Sequence, residues 1–432
     1  MRFRCISAKG RGKALKTRVK PIVTGLAIAL AATLSQAPDA NAGGLARGTA
    51  DTDILFENKP VAMRVGSTYV APQRDYEQLS GAGLGTVKGT DGYYSDSYVV
   101  PSAAFMIGLA DSARCAGTYT EPYGATSSYG RQSIEMGKLY SASGTIRTYV
   151  ESQELGVTCG VSFDAGRGKF WILGGLFWEK IAAGELVELS AGGAAALNAL
   201  ILGAGLADGS RTRLDLESDY NMGFRLGAAF EIPEIALRIQ GIYKSEVEHD
   251  LEGALVVPHA FVGSVSLDSM GSVVTPQSFE LKAQSGIAPG TLAFASVKWV
   301  DWSVVQNIPY TVGGAPQSFE FFWRDGWTIS GGVARQLTDN VSVAVGLSWD
   351  KGVSTTEDVY TDTWSLGSTL NLTDAFGGTW RLGGALSYLT SATINQSAPS
   401  ATGFGAGEGH KFGYKVGDDW AYSGSLSYNV NF

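Results

Sequence analysis

The sequence predicts an all-β protein, a transmembrane antiparallel β-barrel of about 14 strands with a partly helical outer loop. Three observations predict this fold. The chain begins with the pattern of an export signal, many later segments of about ten residues alternate between apolar and small or polar side chains, and the last such segment ends on an aromatic residue. The composition agrees, because 57 glycines and only 17% charged residues are unusual for a soluble enzyme.

Residues 1–42 carry the three parts of a cleavable signal peptide. Eight basic residues come first, the apolar run Ile22–Leu34 follows, and Ala40-Asn41-Ala42 supplies the small-residue cleavage pattern. The alternative is a membrane anchor, but this run is too short, since a spanning helix needs roughly 20 apolar residues. We therefore expect cleavage after Ala42.

Charge and metal-ligand content exclude several classes of function. Without residues 1–42, the chain has 25 Lys+Arg and 40 Asp+Glu, a net charge of −15. This acidity argues against nucleic acid or an anionic lipid surface as a partner. With three histidines and no Cys-x-x-Cys spacing, the sequence gives no support for a metal or haem cofactor, and we expect none.

Two cysteines, Cys115 and Cys159, remain beyond the signal peptide, in a compartment that allows disulfides. Both lie near the presumed periplasmic ends of strands three and four, which a hairpin makes neighbours, and both have the outward phase of their strand. We predict a disulfide between them. The alternative is a pair of unbridged small hydrophobic residues.

The last segment alternates most clearly. The residues of one face are small or polar, and the other face carries Trp420, Tyr422, Gly424, Leu426, Tyr428, Val430 and Phe432. One face suits lipid and the other a polar interior, as in transmembrane barrels. The terminal aromatic residue resembles the insertion signal read by the barrel-assembly machinery, which we expect as a partner together with outer-membrane lipid.

Fourteen segments have this character. A soluble β-sandwich or propeller would alternate too, but it would not place Trp and Tyr at strand ends so often, and no repeat of 40 to 50 residues supports a propeller. The predicted strands are 61–73, 96–110, 112–123, 143–164, 168–181, 219–233, 235–250, 275–286, 290–307, 319–336, 340–352, 360–373, 377–394 and 418–432.

The loop after the fifth predicted strand is unusually apolar for an outer loop. Leu186 and Leu189 lead into Ala191–Ala207, where Asn198 is the only strongly polar side chain. An apolar helix there must bury one face. The segment either caps a binding pocket at the barrel mouth or packs against another long loop, and a membrane span is the weakest alternative. The candidate lining residues are Leu186, Leu189, Leu197, Leu200, Ile201 and Leu206.

The third strand contains Pro122, Tyr123 and Gly124. Proline cannot donate to the strand ladder, and glycine within a strand often marks a bulge or bend. The break is therefore either the edge of a loop or an opening in the barrel wall.

The seventh strand carries Lys244, Glu246 and Glu248, which are too polar to face lipid and are predicted to line the lumen. No recognisable catalytic triad accompanies these residues, so the sequence does not predict an enzyme.

Four stretches resemble the long-chain fatty-acid outer-membrane transporters, the FadL/TodX (OMPP1) family. Met63–Pro72 is similar to the family's first strand with its Tyr-x-x-Pro ending. The others are Tyr243–Glu248 leading to Gly253, Thr275–Leu281 followed by Val297–Ser303, and Phe322–Trp327, which contains a basic–Asp pair. The resemblance covers nearly all of the chain after the signal peptide.

The resemblance implies 14 strands, an N-terminal hatch inside the barrel, apolar pockets under long outer loops, and sideways exit of substrate at the kinked third strand. The domains would then be a signal peptide (1–42), a hatch segment (43–60) and the barrel (61–432). The family's Asn-Pro-Ala hatch motif is absent here.

The leading functional hypothesis is a monomeric channel for passive uptake of long-chain fatty acids or other hydrophobic small molecules. Arg324 is predicted to face the lumen or vestibule and to bind a substrate head group, and the alternative is a structural pair with Asp325. The runner-up function is a general porin-like or structural barrel, such as an adhesin or a phage receptor.

Overall fold

The computed structural model describes residues 43–81, 85–355, 360–394 and 413–432. Fourteen antiparallel strands pair in chain order, and β1 pairs with both β2 and β14, so the sheet is a closed barrel. The predicted 14-strand barrel is confirmed. The strands are β1 Val61–Gln73, β2 Tyr98–Ala110, β3 Ala113–Thr120 and Gly124–Ser128, β4 Ser143–Ala165, β5 Gly168–Leu189, β6 Arg211–Glu217 and Asn221–Ile232, β7 Leu237–Lys244 and Val247–His259, β8 Gly263–Thr275 and Ser278–Ala288, β9 Thr291–Val300 and Asn307–Val312, β10 Ala315–Glu320 and Gly326–Thr338, β11 Val341–Asp350, β12 Thr363–Thr373, β13 Thr379–Leu389 and β14 Asp419–Asn431.

The remaining elements lie in the connections between strands. Helix α1 (Arg131–Tyr140) joins β3 to β4, and α2 (Ala191–Leu200) joins β5 to β6. A search of the described residues finds no helix that is long and apolar enough to cross a membrane. The other elements are a second sheet of Tyr76–Gly81, Gly85–Lys88, Ala392–Ile394 and Gly413–Val416, and the 3₁₀ helices Thr52–Phe56, Pro233–Ile235 and Trp302–Val304.

Alternation along the strands separates an apolar outer face from a polar interior. On β4, Leu155, Val157 and Phe163 are each about half exposed on the outside, while Glu154 and Thr158 are each 1% exposed on the inside. Successive side chains of a strand point to opposite faces, so one sequence supplies both surfaces. The outward apolar band is what a barrel in a bilayer requires.

The wall on one side rises above this apolar band. Strand β4 has 23 residues, whereas about 9–11 tilted residues cross a membrane. Each of the strands β6 to β10 is interrupted once. The outer segments of these five strands pair with each other and with β5. We call the outer halves of β4 and β5 together with these segments the outer extension. The strands predicted from the sequence leave out most of the outer extension, because they end β5 at residue 181 and treat residues 251–274 as a loop.

Cys115 of β3 lies directly opposite Cys159 of β4. The two form a disulfide, with their Cα atoms 4.0 Å apart. This separation is within the limit of roughly 7 Å for a bridge. Both cysteines lie on the outward face of their strands, where Leu155 and Val157 are also exposed.

Candidate functional site

The barrel wall is interrupted within β3. Thr120 still pairs with Ser102 of β2 and Glu154 of β4, and the next residue of β3 to pair in the sheet is Gly124. Between them, the Ser152 hydroxyl of β4 replaces the ladder, accepting from the Tyr123 amide and donating to the Tyr123 carbonyl at 2.8 Å each. Pro122, which has no N–H, lies at the centre of the break.

The N-terminal segment, residues 43–48, occupies the β2 side of this break. The Arg47 amide donates to the Pro122 carbonyl at 2.8 Å, the Gly48 amide donates to Glu121 at 3.0 Å, and the Gly124 amide donates to Leu45 at 2.8 Å. The approach is close, because a Cβ on Gly124 would lie 2.6 Å from the Arg47 guanidinium. The backbone groups of the break are therefore satisfied by a distant part of the chain.

An aromatic cluster lies beside the N-terminal segment, at the level of the break. It consists of Tyr123, Val300, Trp302, Val305, Trp323 and Val353, and Leu45 and Ala46 pack against it. The rings of Trp302 and Trp323 meet edge to face at 5.0 Å, and Tyr123 meets Trp302 at 5.6 Å. The interruptions of β9 and β10 place these side chains, since Trp302 and Trp323 both lie between strand segments.

Two further apolar clusters line the outer extension. The wall cluster contains Ile181, Leu214, Leu216 and Leu251, with Tyr310 and Phe319 packed against it. The cap cluster lies nearer the rim and contains Leu189, Ala194, Ile201, Ala204, Leu206 and Val257, with Leu197 packed against it. Together these clusters make the inside of the outer extension apolar above the break, and we call this region the apolar vestibule.

The α2 loop contributes four of the six predicted lining residues to the cap cluster, namely Leu189, Leu197, Ile201 and Leu206. Leu200 is 65% exposed, and Leu186 lies outside the cluster, in register between Arg147 and Arg213. The Ser190 hydroxyl caps α2 by accepting from the Gly193 amide, and the Asn198 side chain bonds both backbone groups of Leu206. These bonds fix the conformation of the loop, and the cap cluster packs it against the outer extension.

A charged layer crosses the interior near the break. The Lys244 ammonium lies 2.9 Å from a Glu154 carboxylate oxygen and 2.8 Å from one of Glu179. Arg225 also pairs with Glu154, and His249 Nε2 lies 3.3 Å from Glu179. All five side chains are buried or nearly so. Charges this deep require partners, and here each one has them.

The prediction that Glu246 and Glu248 also face the lumen is wrong. Strand β7 breaks after Lys244 and resumes at Val247, which shifts the alternation so that Val247 and His249 point inward. Both glutamates are exposed on the outer face, and Glu246 lines a cavity there with Leu176 and Met222. They can face outward because the outer extension stands above the apolar band.

Residues 51–57 lie inside the barrel below the break and are held by ion pairs with the wall. Asp51 and Glu57 both bind Arg64, at 2.5 Å and 2.8 Å, and Asp53 lies 3.3 Å from Lys282. Burial alone would raise the pKa of Asp53, but Lys282, Arg238 and Arg64 outweigh it and lower the pKa to about 2. Asp53 therefore stabilises the fold fully above about pH 4 and loses this contribution as the pH falls through about 2.

The interior around the 3₁₀ helix Thr52–Phe56 combines one apolar cluster with charged and hydroxyl groups. Ile54 and Leu55 are fully buried against Met106 and Trp171, but the surrounding wall carries charged and hydroxyl groups. Several buried polar side-chain atoms in the described part of the barrel have no hydrogen-bond partner. They include atoms of Thr118, Thr120, Thr158, Arg225 and Gln240. The apolar vestibule thus gives way to a polar lumen at the level of the break.

Arg324 lies in the interruption of β10 and is exposed. Its Nε donates to the Gly352 carbonyl at 3.0 Å, and its amide donates to Val353 at 3.0 Å. The Asp325 carboxylate accepts a hydrogen bond from the Trp299 indole at 2.9 Å. The two terminal nitrogens of Arg324 make no hydrogen bond within the ranges that the structure describes.

No group of three or more His, Cys, Asp or Glu side chains in the described ranges is placed to hold a metal ion. A closed 14-strand barrel with an apolar outer band and a polar interior defines an outer-membrane β-barrel protein. The chain belongs to the outer membrane protein transport family OMPP1/FadL/TodX, whose model matches residues 20–359. It is therefore an outer-membrane transport protein for hydrophobic compounds, in a transport family and not an enzyme family.

Solved structures show the same fold. A FadL homologue from Pseudomonas aeruginosa aligns with a TM-score of 0.66 and 15% identity over 91% of this chain and 98% of that one. The toluene transporters TbuX of Ralstonia pickettii and TodX of Pseudomonas putida both give 0.55, with 13% and 14% identity over 88% of this chain and 91% and 92% of theirs. A search of curated protein sequences finds no match.

Proposed function

We propose that this protein passes long-chain fatty acids or similar hydrophobic molecules from the vestibule sideways into the membrane through the break in β3. One observation carries the proposal: the lining changes from apolar to charged at the level of the break. The wall and cap clusters lie above it, and the Glu154–Lys244–Glu179 layer and the ion pairs around Asp53 lie at or below it.

The change in polarity determines which route is favourable. Each CH₂ group kept out of water is worth about 0.8 kcal/mol, so a long acyl chain strongly favours an apolar path. A straight path to the periplasm would take the chain past Arg225, Lys244 and Arg64, whose partners would have to separate. In this proposal the outer side of the break opens to lipid, and a hydrophobic molecule that leaves there never enters the polar lumen.

The N-terminal segment is suited to close this exit. It is joined to the break by three backbone hydrogen bonds, from Arg47 and Gly48 to β3 and from Gly124 to Leu45. A displacement of residues 45–48 would free the β2 side of the break without unpairing any of the 14 strands. In this proposal residues 51–57 act as the hatch and keep the lumen below filled.

The proposal is tested by following where a hydrophobic compound goes. With the protein reconstituted in lipid vesicles, a pyrene-labelled fatty acid added outside should gain excimer fluorescence from the bilayer, while a polar solute of similar size, trapped inside, should not leak. Release of the polar solute at a rate comparable to lipid delivery would instead support the porin-like alternative.

Arg324→Ala is expected to reduce uptake of fatty acids about tenfold at low concentration and to leave uptake of a neutral hydrocarbon unchanged. The guanidinium is exposed, and its terminal nitrogens can bind a carboxylate in the fork geometry that lysine lacks, an interaction worth about 1.5–3 kcal/mol. Initial uptake rates in cells with matched amounts of protein measure the effect, and Arg335→Ala, at the opposite end of β10, is the control. Equal fatty-acid uptake by both variants would remove this role from Arg324.

A further inference from the structure

We propose that a cavity on the outer face of the barrel wall binds one lipid of the surrounding bilayer, an aminophospholipid whose primary ammonium group pairs with the carboxylate of Glu246. The cavity has a volume of about 310 Å³ and is lined by residues of β5 to β8. Small-molecule sites usually have volumes of about 300–1,000 Å³. The inference is independent of the proposed lateral exit, because that exit lies in β3.

The cavity lies where the pairing of two neighbouring strands is interrupted. Residues 218–224 of β6 and 245–251 of β7 lie between two stretches in which these strands pair in register. Met222 and Glu246 line the cavity, and both belong to this unpaired part of the wall. The site is therefore a local feature of the β6–β7 boundary and not a repeated feature of the lipid-facing surface.

The cavity crosses the upper boundary of the apolar band. Leu176 and Met222 line it and are exposed on the outer face, as is Trp178, which lies opposite Met222 in the sheet. Two residues beyond Trp178 on the same strand, Lys180 pairs with Glu217 on the outer extension. Tryptophan on the outer face is typical of the membrane interface. The cavity thus has one end at the depth of acyl chains and the other at the level of lipid head groups.

Glu246 supplies the charge that selects the head group. Its carboxylate is exposed, and no Lys, Arg or His nitrogen of the described ranges lies within 4 Å of it. Lys244, two residues earlier, points inward and belongs to the charged layer. An ammonium group placed beside Glu246 gains both a hydrogen bond and an ion pair, whereas an anionic head group is repelled.

The competing arrangement is a divalent cation that bridges Glu246 to an anionic lipid. Mg²⁺ and Ca²⁺ take about six or more oxygen ligands, several of them usually from carboxylates. Within the ranges that the structure describes, no three His, Cys, Asp or Glu side chains are grouped closely enough to hold such an ion. A single carboxylate above an apolar recess suits an ammonium group instead.

The test measures lipid binding to the purified, folded barrel by native mass spectrometry. Phosphatidylethanolamine and phosphatidylglycerol with identical acyl chains are titrated separately. The wild type should bind one copy of phosphatidylethanolamine about tenfold more tightly than phosphatidylglycerol, since a hydrogen bond to a charged group has roughly this value. Glu246→Gln should remove the difference. Glu248→Gln, an exposed glutamate on the same strand that lies outside the cavity lining, should keep it.

Cross-linking locates the bound lipid. Phosphatidylethanolamine with a diazirine in its acyl chain should attach mainly to peptides that contain Leu176 or Met222. Attachment spread evenly around the barrel would overturn the proposal, as would equal binding of the two lipids to the wild type. A preference that survives in Glu246→Gln, or binding of phosphatidylglycerol that requires Mg²⁺, would also contradict it. None of these measurements depends on uptake, so they remain informative if the lateral exit is disproved.

Discussion

Replacing Lys244 with methionine is expected to lower the free energy of unfolding by about 3–5 kcal/mol, the usual effect of removing one partner from a buried ion pair. Lys244 is the only residue that contacts both Glu154 and Glu179, at 2.9 Å and 2.8 Å, in the layer described. Without it, Glu179 loses its Lys244 ammonium and keeps its contact with His249 Nε2, whereas Glu154 retains Arg225. Urea unfolding of the folded barrel in lipid, followed by tryptophan fluorescence, measures the change.

Two further variants separate burial from charge in this experiment. Lys180→Met removes a partly exposed ion pair with Glu217 on the outer extension, and it should cost less than about 1 kcal/mol. Adding Glu179→Gln to Lys244→Met should restore part of the loss, because the uncompensated carboxylate is then neutral. If Lys244→Met proves no more harmful than Lys180→Met, the charged layer does not contribute to stability in the way described.

A disulfide between Cys introduced at Ala46 and at Tyr123 is expected to reduce uptake of hydrophobic compounds to background. These two residues face each other across the bridge between the N-terminal segment and β3, and they form a non-hydrogen-bonded pair. Such pairs have Cα atoms about 4.5 Å apart, which suits a disulfide. The bond would hold the segment on the break, and mild reduction should restore uptake within the same sample.

The single variant Tyr123→Cys controls for the loss of the tyrosine ring from the aromatic cluster, and Ala46→Cys controls for the other position. Both should take up substrate under oxidising conditions at a rate that reduction does not change. Full uptake by the oxidised double variant, with the bond verified by mass, would mean that substrate does not leave through this break.

The alternation of apolar and polar residues was sufficient to predict the barrel, because the lipid-facing side imposes it on every strand. Strand β1 was predicted at 61–73 and spans those residues, and β14 differs from its prediction by one residue at each end. The outer extension lacks that constraint. There Glu248, Asp250 and Glu252 occupy the outward positions that lipid-facing strands fill with apolar residues. The strand predictions relied on a lipid-facing apolar pattern, which these positions lack. For the same reason they placed the polar residues Glu246 and Glu248 in the lumen.

The candidate site was predictable only in part. Pro122 and Gly124 marked the break in β3, since their backbone chemistry is local. Its occupant was not predictable, because the segment 45–48 binds through backbone groups that any sequence possesses and lies more than 70 residues earlier in the chain. The partners of Lys244 come from β4 and β5, and their pairing depends on the register of four strands, β4 to β7, which the alternation alone does not specify.

The Cys115–Cys159 bridge has a consequence for the order of events in biogenesis. Both sulfurs lie on the face that ends up against lipid, where soluble oxidants and thiolates have little access. Thiol oxidation proceeds through thiolates, which an apolar bilayer disfavours. We therefore expect the bridge to form while the chain is still in the aqueous periplasm, so that the β3–β4 pair reaches the membrane already joined by a covalent bond. Insertion would then start from two strands whose register is fixed by a covalent bond. The break in β3 would already lie beside β4 before the barrel closes.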